Sequence, residues 1–187
     1  MKARKLSLLI ACAVLLVVCV VQGIVKSSDK VKYFTLKDSP ERITIQTPAE
    51  TVLLTKEGEN WFVGEEKLAA KESEVNQIVE GISSVKALDK VASKTEKTST
   101  QYELGEGKTI VVTAVKKGKT VRTVEIGKDA TTSSQCYITV DGKNDIYLAG
   151  GNLKRIFNKT QEDLLQPAPE PVEEEPVEKE PAATVEL

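Results

Sequence analysis

Residues 6–25 run for twenty positions without a charge, broken only by Ser7, Gln22 and Gly23, and this stretch constrains the rest of the chain more than any other. At about 1.5 Å per helical residue it reaches roughly 30 Å, the hydrocarbon thickness of a bilayer. Lys2, Arg4 and Lys5 precede it, and cations held on the cytoplasmic side send the downstream chain outward. Three fates compete for the segment. A cleaved signal has a shorter apolar stretch and a small-residue cleavage site; the sites offered here, Val21-Gln22-Gly23 and the region of Ser27 and Ser28, are poor. Lipidation would use Leu9-Ile10-Ala11-Cys12, yet thirteen uncharged residues come after Cys12 and would leave a greasy segment on the mature chain. Segment length favours the third fate, an uncleaved single-pass anchor over residues 1–25 with the remainder outside the cytoplasm.

Residues 26–165 then offer 140 positions, enough for one core and too few for two ordinary domains. Residues 166–187 carry five of the seven prolines and seven glutamates against Lys179, a net −6. Such a composition cannot bury enough apolar surface to offset its ordering entropy, so this tail is predicted to be disordered. With +3 at the N-terminus and −2 for the whole chain, the middle carries +1 (−2 − 3 + 6). A body so close to neutral has little electrostatic reason to bind nucleic acid. Histidine is absent, which removes the commonest general base and metal ligand. Cys136 is the only cysteine beyond the apolar segment, so no disulfide can form within the body.

Period-two alternation marks most of the body as strand. Residues 31–37 form a short apolar run, and Ile43 and Ile45 alternate with Arg42, Thr44 and Gln46. Residues 51–56 and 60–63 flank Glu57-Gly58-Glu59, a hairpin signal, with Trp61 placed to pack into the core. Val75, Ile78, Val79, Ile82 and Val85 recur at three- and four-residue spacing and predict a helix over residues 71–88, weakened by Gly81. Residues 89–108, rich in Lys, Ser, Thr and Glu, read as loop. Further strands fall at 109–115 and 120–126, at Cys136, Ile138 and Val140, and at 145–149. Leu153, Ile156, Phe157 and Leu164 then line a terminal helix introduced by Gly150-Gly151-Asn152. The order implies an α+β fold with a largely antiparallel β-sheet, one amphipathic helix after the first strands and a second at the C-terminal end.

No catalytic signal in the chain is complete. Ser83-Ser84-Val85-Lys86 and Ser27-Ser28-Asp29-Lys30 spell Ser-x-x-Lys, but eleven serines in a lysine-rich chain give one or two such matches by chance. Gly107-Lys108-Thr109 and Gly118-Lys119-Thr120 imitate the end of a phosphate loop, yet the required earlier glycines are Tyr102 and Thr113 and both segments lead into strands. Residues 141–145 cluster acceptors without the spacing of a calcium hand and read as a turn. Glu65 and Glu66 are adjacent on an extended segment and point apart. Asn158-Lys159-Thr160 is a glycosylation sequon inside a predicted helix. The expectation is a non-enzyme with no catalytic, cofactor or metal residues.

The segments Glu41-Arg42-Ile43-Thr44-Ile45, Leu54-Thr55-Lys56, Trp61-Phe62-Val63, Tyr102-Glu103-Leu104-Gly105, Val124-Glu125-Ile126-Gly127-Lys128, Tyr137-Ile138-Thr139 and Ile146-Tyr147-Leu148 occur in an order and spacing that resembles the uncharacterised domain-of-unknown-function 4340 family, over residues 38–165. The chain departs from that pattern at Glu103, where the family usually has glycine, and in lacking a proline shortly after Gly105. The resemblance implies a membrane-anchored bacterial envelope protein in the cytoplasmic (inner) membrane, often encoded near gliding-type ABC export permeases, with no catalytic residue to transfer. The functional expectation is therefore a non-enzymatic accessory domain with the membrane and ABC-type permease components as partners. The alternative is a small-ligand or glycan-binding domain using the surroundings of Tyr102 and Trp61. A third class, an undetected hydrolase, would rest on Ser83 alone.

Overall fold

Alternating side chains govern the chain beyond residue 31, and the backbone follows them into ten strands. A computed structural model describes residues 13–16, 31–105 and 107–167. The strands are β1 (Lys32–Thr35), β2 (Arg42–Gln46), β3 (Thr51–Glu57), β4 (Asn60–Val63), β5 (Leu68–Ala69), β6 (Ser84–Ser93), β7 (Ile110–Lys116), β8 (Lys119–Asp129), β9 (Cys136–Val140) and β10 (Asp145–Ala149). They form one sheet in the order β1-β6-β10-β9-β8-β7-β2-β3-β4-β5, with every neighbouring pair antiparallel. Among the described residues beyond 31 four helices accompany it: α1 (Glu72–Ser83), α2 (Glu96–Tyr102), α3 (Leu153–Phe157) and α4 (Gln161–Leu164). The α+β class and its dominant antiparallel sheet are as the alternation predicts.

One face of the sheet is the core. Ile43 and Ile45 of β2 stand opposite Leu54 and Val52 of β3 on one side and Ala114 and Val112 of β7 on the other. Val124 and Ile126 of β8 meet Val140 and Ile138 of β9. All ten side chains are fully buried. Val75, Ile78 and Ile82 of α1, Leu153 and Phe157 of α3 and Leu164 of α4 close over this face. Gly81 lets α3 approach α1: a Cβ there would lie 3.2 Å from the Phe157 ring. The sequence would have Gly81 permit close packing on the sheet; its close neighbours are instead Phe157 and Ile156, helix against helix.

Arg122 is buried among these apolar groups, only 5% exposed. Its Nη1 donates to the Phe34 carbonyl at 2.7 Å and, more weakly, to that of Ile82 at 3.4 Å. Its Nε lies 3.2 Å from Asp141 Oδ1, an ion pair without a hydrogen bond. One guanidinium therefore ties β1, the last turn of α1 and the β9–β10 link to β8. A cation beside the terminal carbonyls of a helix is also where the helix dipole favours it.

Four expectations need correction. The apolar stripe of α1 ends at Ile82, and the helix stops at Ser83. Val85 belongs to β6, where it and Ala87 are buried between exposed Ser84 and Lys86. Residues 89–108 are not a loop throughout: β6 runs to Ser93, and Thr95 then opens α2 by exchanging hydrogen bonds with Thr98. The terminal helix is two helices. Thr160 caps α4 through Asp163, and the chain between α3 and α4 leaves the helical path. The β3–β4 turn is also tighter than expected, because Glu57 pairs with Asn60 and leaves only Gly58 and Glu59 to turn.

The predicted anchor over residues 1–25 lies outside the described residues except for 13–16, which form a short exposed piece of helix. Among the described residues no helix is long and apolar enough to cross a membrane. Of the predicted tail, only residues 166–167 are described.

Candidate functional site

The second face of the sheet carries the surface available for recognition. Strand alternation points every other side chain there, and two registered rows result. Leu53, Thr44, Thr113 and Thr123 line up across β3, β2, β7 and β8. Thr51, Gln46, Val111, Glu125 and Thr139 form the next row and reach β9. Most of these side chains are half-buried, in contrast to the sealed core face.

The segment after β6 crosses part of this second face. Thr95 starts α2, Glu103 ends it in the left-handed region at φ 55°, and Leu104 turns inward to become buried. The backbone then lies directly on β8. A Cβ at Gly127 would come within 2.1 Å of the Tyr102 carbonyl oxygen, so only glycine permits this approach. The Thr109 hydroxyl, 2.6 Å from the Gly105 carbonyl and 3.0 Å from that of Glu103, holds the return of the loop. The Tyr102 ring rests on Tyr137, with centroids 4.4 Å apart and planes tilted by 43°. Lys128 Nζ sits 5.6 Å from the Tyr102 centroid and 6.0 Å from that of Tyr137.

Between this loop and the β2 end lies an open trough of about 500 Å³, lined among others by Gln46, Thr47, Lys94, Leu104, Thr109 and Glu125. Glu125 is its anionic centre. Its Oε2 accepts from the Thr139 hydroxyl at 2.7 Å and from Lys94 Nζ, so the charge is neutralised without being sealed off. Chemically, the trough offers amide, hydroxyl, ammonium and carboxylate groups. That set suits hydrogen-bonding ligands or a polar protein surface.

The residues singled out in the sequence are scattered by the fold. Trp61 pairs with Lys56 and follows the core-side parity of Val63, half-buried against the core. Tyr102 covers Tyr137 on the opposite face, so the two aromatics share no cleft. Ser83 ends α1 whereas Lys86 lies in β6; Ser27 and Lys30, with Cys12 and Cys19, fall outside the described residues. Gly118 forms the β7–β8 turn with Lys117, and Gly107 and Thr109 belong to the loop before β7. Asp141 Oδ1 accepts from the Thr123 amide at 3.0 Å, which makes it a turn residue. Cys136 is buried on β9, and that burial pushes its thiol up to about 11, far from reactive thiolate behaviour at neutral pH. Among the described residues no cluster of three acidic or cysteine groups is placed to hold a metal.

Sequence reasoning passed over Lys94, Glu125 and Arg122. For Arg122 a signal existed: counting back by twos from Ile126 and Val124 puts residue 122 inside.

The family model described as "Domain of unknown function (DUF4340)" matches residues 61–180. The match begins at Trp61, so β1, β2 and β3 precede it. No curated protein and no solved structure matches the chain.

Proposed function

Because this chain belongs to the DUF4340 family of domains of unknown function, we propose that it is a non-enzymatic accessory domain of the bacterial envelope. In this reading residues 1–25 hold it in the cytoplasmic membrane, with the domain on the outer side, where it engages components of a gliding-type ABC export system. The observation that carries the reading is the pair of half-buried, threonine-rich rows on the second face, Leu53-Thr44-Thr113-Thr123 and its neighbour. A surface of mixed hydroxyl and aliphatic groups spread over five strands suits a protein partner better than a small reacting molecule. The uncharged run and its cationic flank supply the membrane part of the proposal. Crosslinking the full chain in native membranes, then purifying it by affinity, is expected to recover permease subunits. Recovery of the crosslinked chain without them, in repeated preparations, would remove that partner.

A second reading draws on the trough around Glu125, walled by the loop that follows Tyr102: a binding site for a glycan or another small polar ligand. Titrating soluble glycans while monitoring the resonances of Thr109, Val111 and Glu125 tests it. Saturable shifts confined to those residues support it, and unchanged spectra dismiss it.

A further inference from the structure

The far edge of the sheet carries a charge imbalance that the proposed function does not use. Lys32 on the edge strand β1 and Lys143 in the β9–β10 link converge on one ring: their Nζ atoms lie 4.7 and 5.6 Å from the Phe34 centroid. Phe34 meets Tyr147 edge-on at 5.3 Å, and Lys32 Nζ is 5.6 Å from that second centroid. Nearby carboxylates are already engaged. Asp145 pairs with Lys90 at 2.7 Å, and Asp141 with Arg122 at 3.2 Å. Among the described residues no ion pair involves Lys32 or Lys143. The local balance is thus two pairs and two surplus cations. On the same edge strand, with its side chain on the other face from Lys32, Tyr33 is 57% exposed, and Val31 before it is 44% exposed.

The length of chain before β1 says what such an edge faces. Lys32 stands seven positions after Val25, the end of the uncharged run. Fully extended, that stretch reaches at most about 24 Å. If the run is lodged in lipid, β1 cannot leave the headgroup region by more than that distance. Lysine and tyrosine together are also the residue types that settle at a membrane–water interface.

We propose that the β1 edge is the membrane-facing edge of the domain, and that Lys32 and Lys143 together bind the phosphates of anionic phospholipid headgroups, with Tyr33 at the interface. The inference rests on the anchored reading above. It adds an orientation: the strands run beside the bilayer at the β1 end, and β4 and β5, at the opposite edge of the sheet, project away from it.

The test uses the full chain in nanodiscs of phosphatidylcholine alone or mixed with phosphatidylglycerol, with hydrogen exchange measured in peptides covering residues 32–35 and 141–147. Slower exchange in both peptides in the anionic discs is expected, with β4 and β5 unaffected. Each lysine contributes about fivefold to the docked population. K32E and K143E should each lose part of that protection, and the double variant should lose it entirely while keeping its thermal transition. Equal exchange in both lipid compositions would overturn the proposal. So would protection by inorganic phosphate in lipid-free detergent, which would assign the lysines to a free anion. Carbonate extraction of native membranes judges the anchor separately. If the chain is extracted, the anchored reading fails, and flotation with anionic or neutral vesicles decides the edge on its own: binding to anionic vesicles that K32E and K143E abolish upholds it, and its absence ends it.

Discussion

The two faces of the sheet arise from the same strands and have opposite fates. On one face Ile43, Ile45, Val112, Val124 and Ile138 vanish beneath α1, α3 and α4. On the other, one residue along, Thr44, Val111, Thr113 and Glu125 stay half-exposed, and one short helix with its loop is laid over β8 and β9. The difference teaches where each kind of information resides. The sealed face specifies the fold through volume and hydrophobicity. The open face holds the polar groups, the trough and the non-local contacts on which the proposed recognition would depend.

The sharpest way to break the sealed face is to empty it. Phe157 is fully buried against Gly81, and Phe157→Ala is expected to cost about 3–5 kcal/mol in urea unfolding. Arg122 tests whether that face tolerates its one buried charge. Arg122→Met removes the donors to Phe34 and Ile82 and should cost about 2–3 kcal/mol, with exchange rising first in β1. A stability equal to wild type would mean that the methionine packs as well as the ion pair.

On the open face the effects should be smaller and local. Gly127→Ala places a methyl group against the Tyr102 carbonyl and is expected to cost about 1–3 kcal/mol. Hydrogen exchange should accelerate over residues 96–109 while α1 stays protected. Glu103→Gly should stabilise by up to about 1 kcal/mol, since Glu103 occupies the left-handed region that glycine enters without strain. Loss of stability there would mean that the glutamate side chain holds the loop.

Acid affects the two faces least. Glu74 is held below its ordinary value chiefly by the Lys159 hydrogen bond, Asp145 by that of Lys90, and Asp163 by the Thr160 amide. A carboxyl whose folded pKa is depressed contributes fully above its unfolded pKa and loses the contribution as pH falls through the folded value. Thermal stability should therefore hold until the pH nears the ordinary values of 4.5 for Glu74 and 3.8 for Asp145, then decline below them. Glu74→Gln should flatten the upper part of that decline.

How much of this could be read from the sequence depends on the range of the interactions. β1, β2, β3, β4, β7, β8, β9 and β10 announce themselves because their signals (alternation, short apolar runs and hairpin turns) are local. β6 does not, because Val85 lies three residues after Ile82 and prolongs the helical stripe by coincidence of period. α2 escapes for another reason: none of its residues is buried, so its only signature is the Thr95–Thr98 cap. The register shift between Ala114 and Val115 leaves Val121 without a partner on β7, a detail that composition conceals, whereas Arg122 keeps regular register with Ala114 and faces inward by alternation alone. Glu103, which the sequence resemblance marks as a departure, stands in the left-handed region that glycine enters without strain. The open-face site is the least legible part. Tyr102 meets Tyr137, and Lys94 meets Glu125, only after the chain has crossed several strands.

Photocrosslinking in native membranes decides most directly whether the open face is the one that works. A photoreactive residue is placed at Thr113 on that face or at Asn76, exposed on α1 on the helical side. Adducts to an ABC permease subunit from position 113, and none from 76, are the expected result. Adducts from 76 alone, or equal yields from both, would contradict the assignment of recognition to the open face.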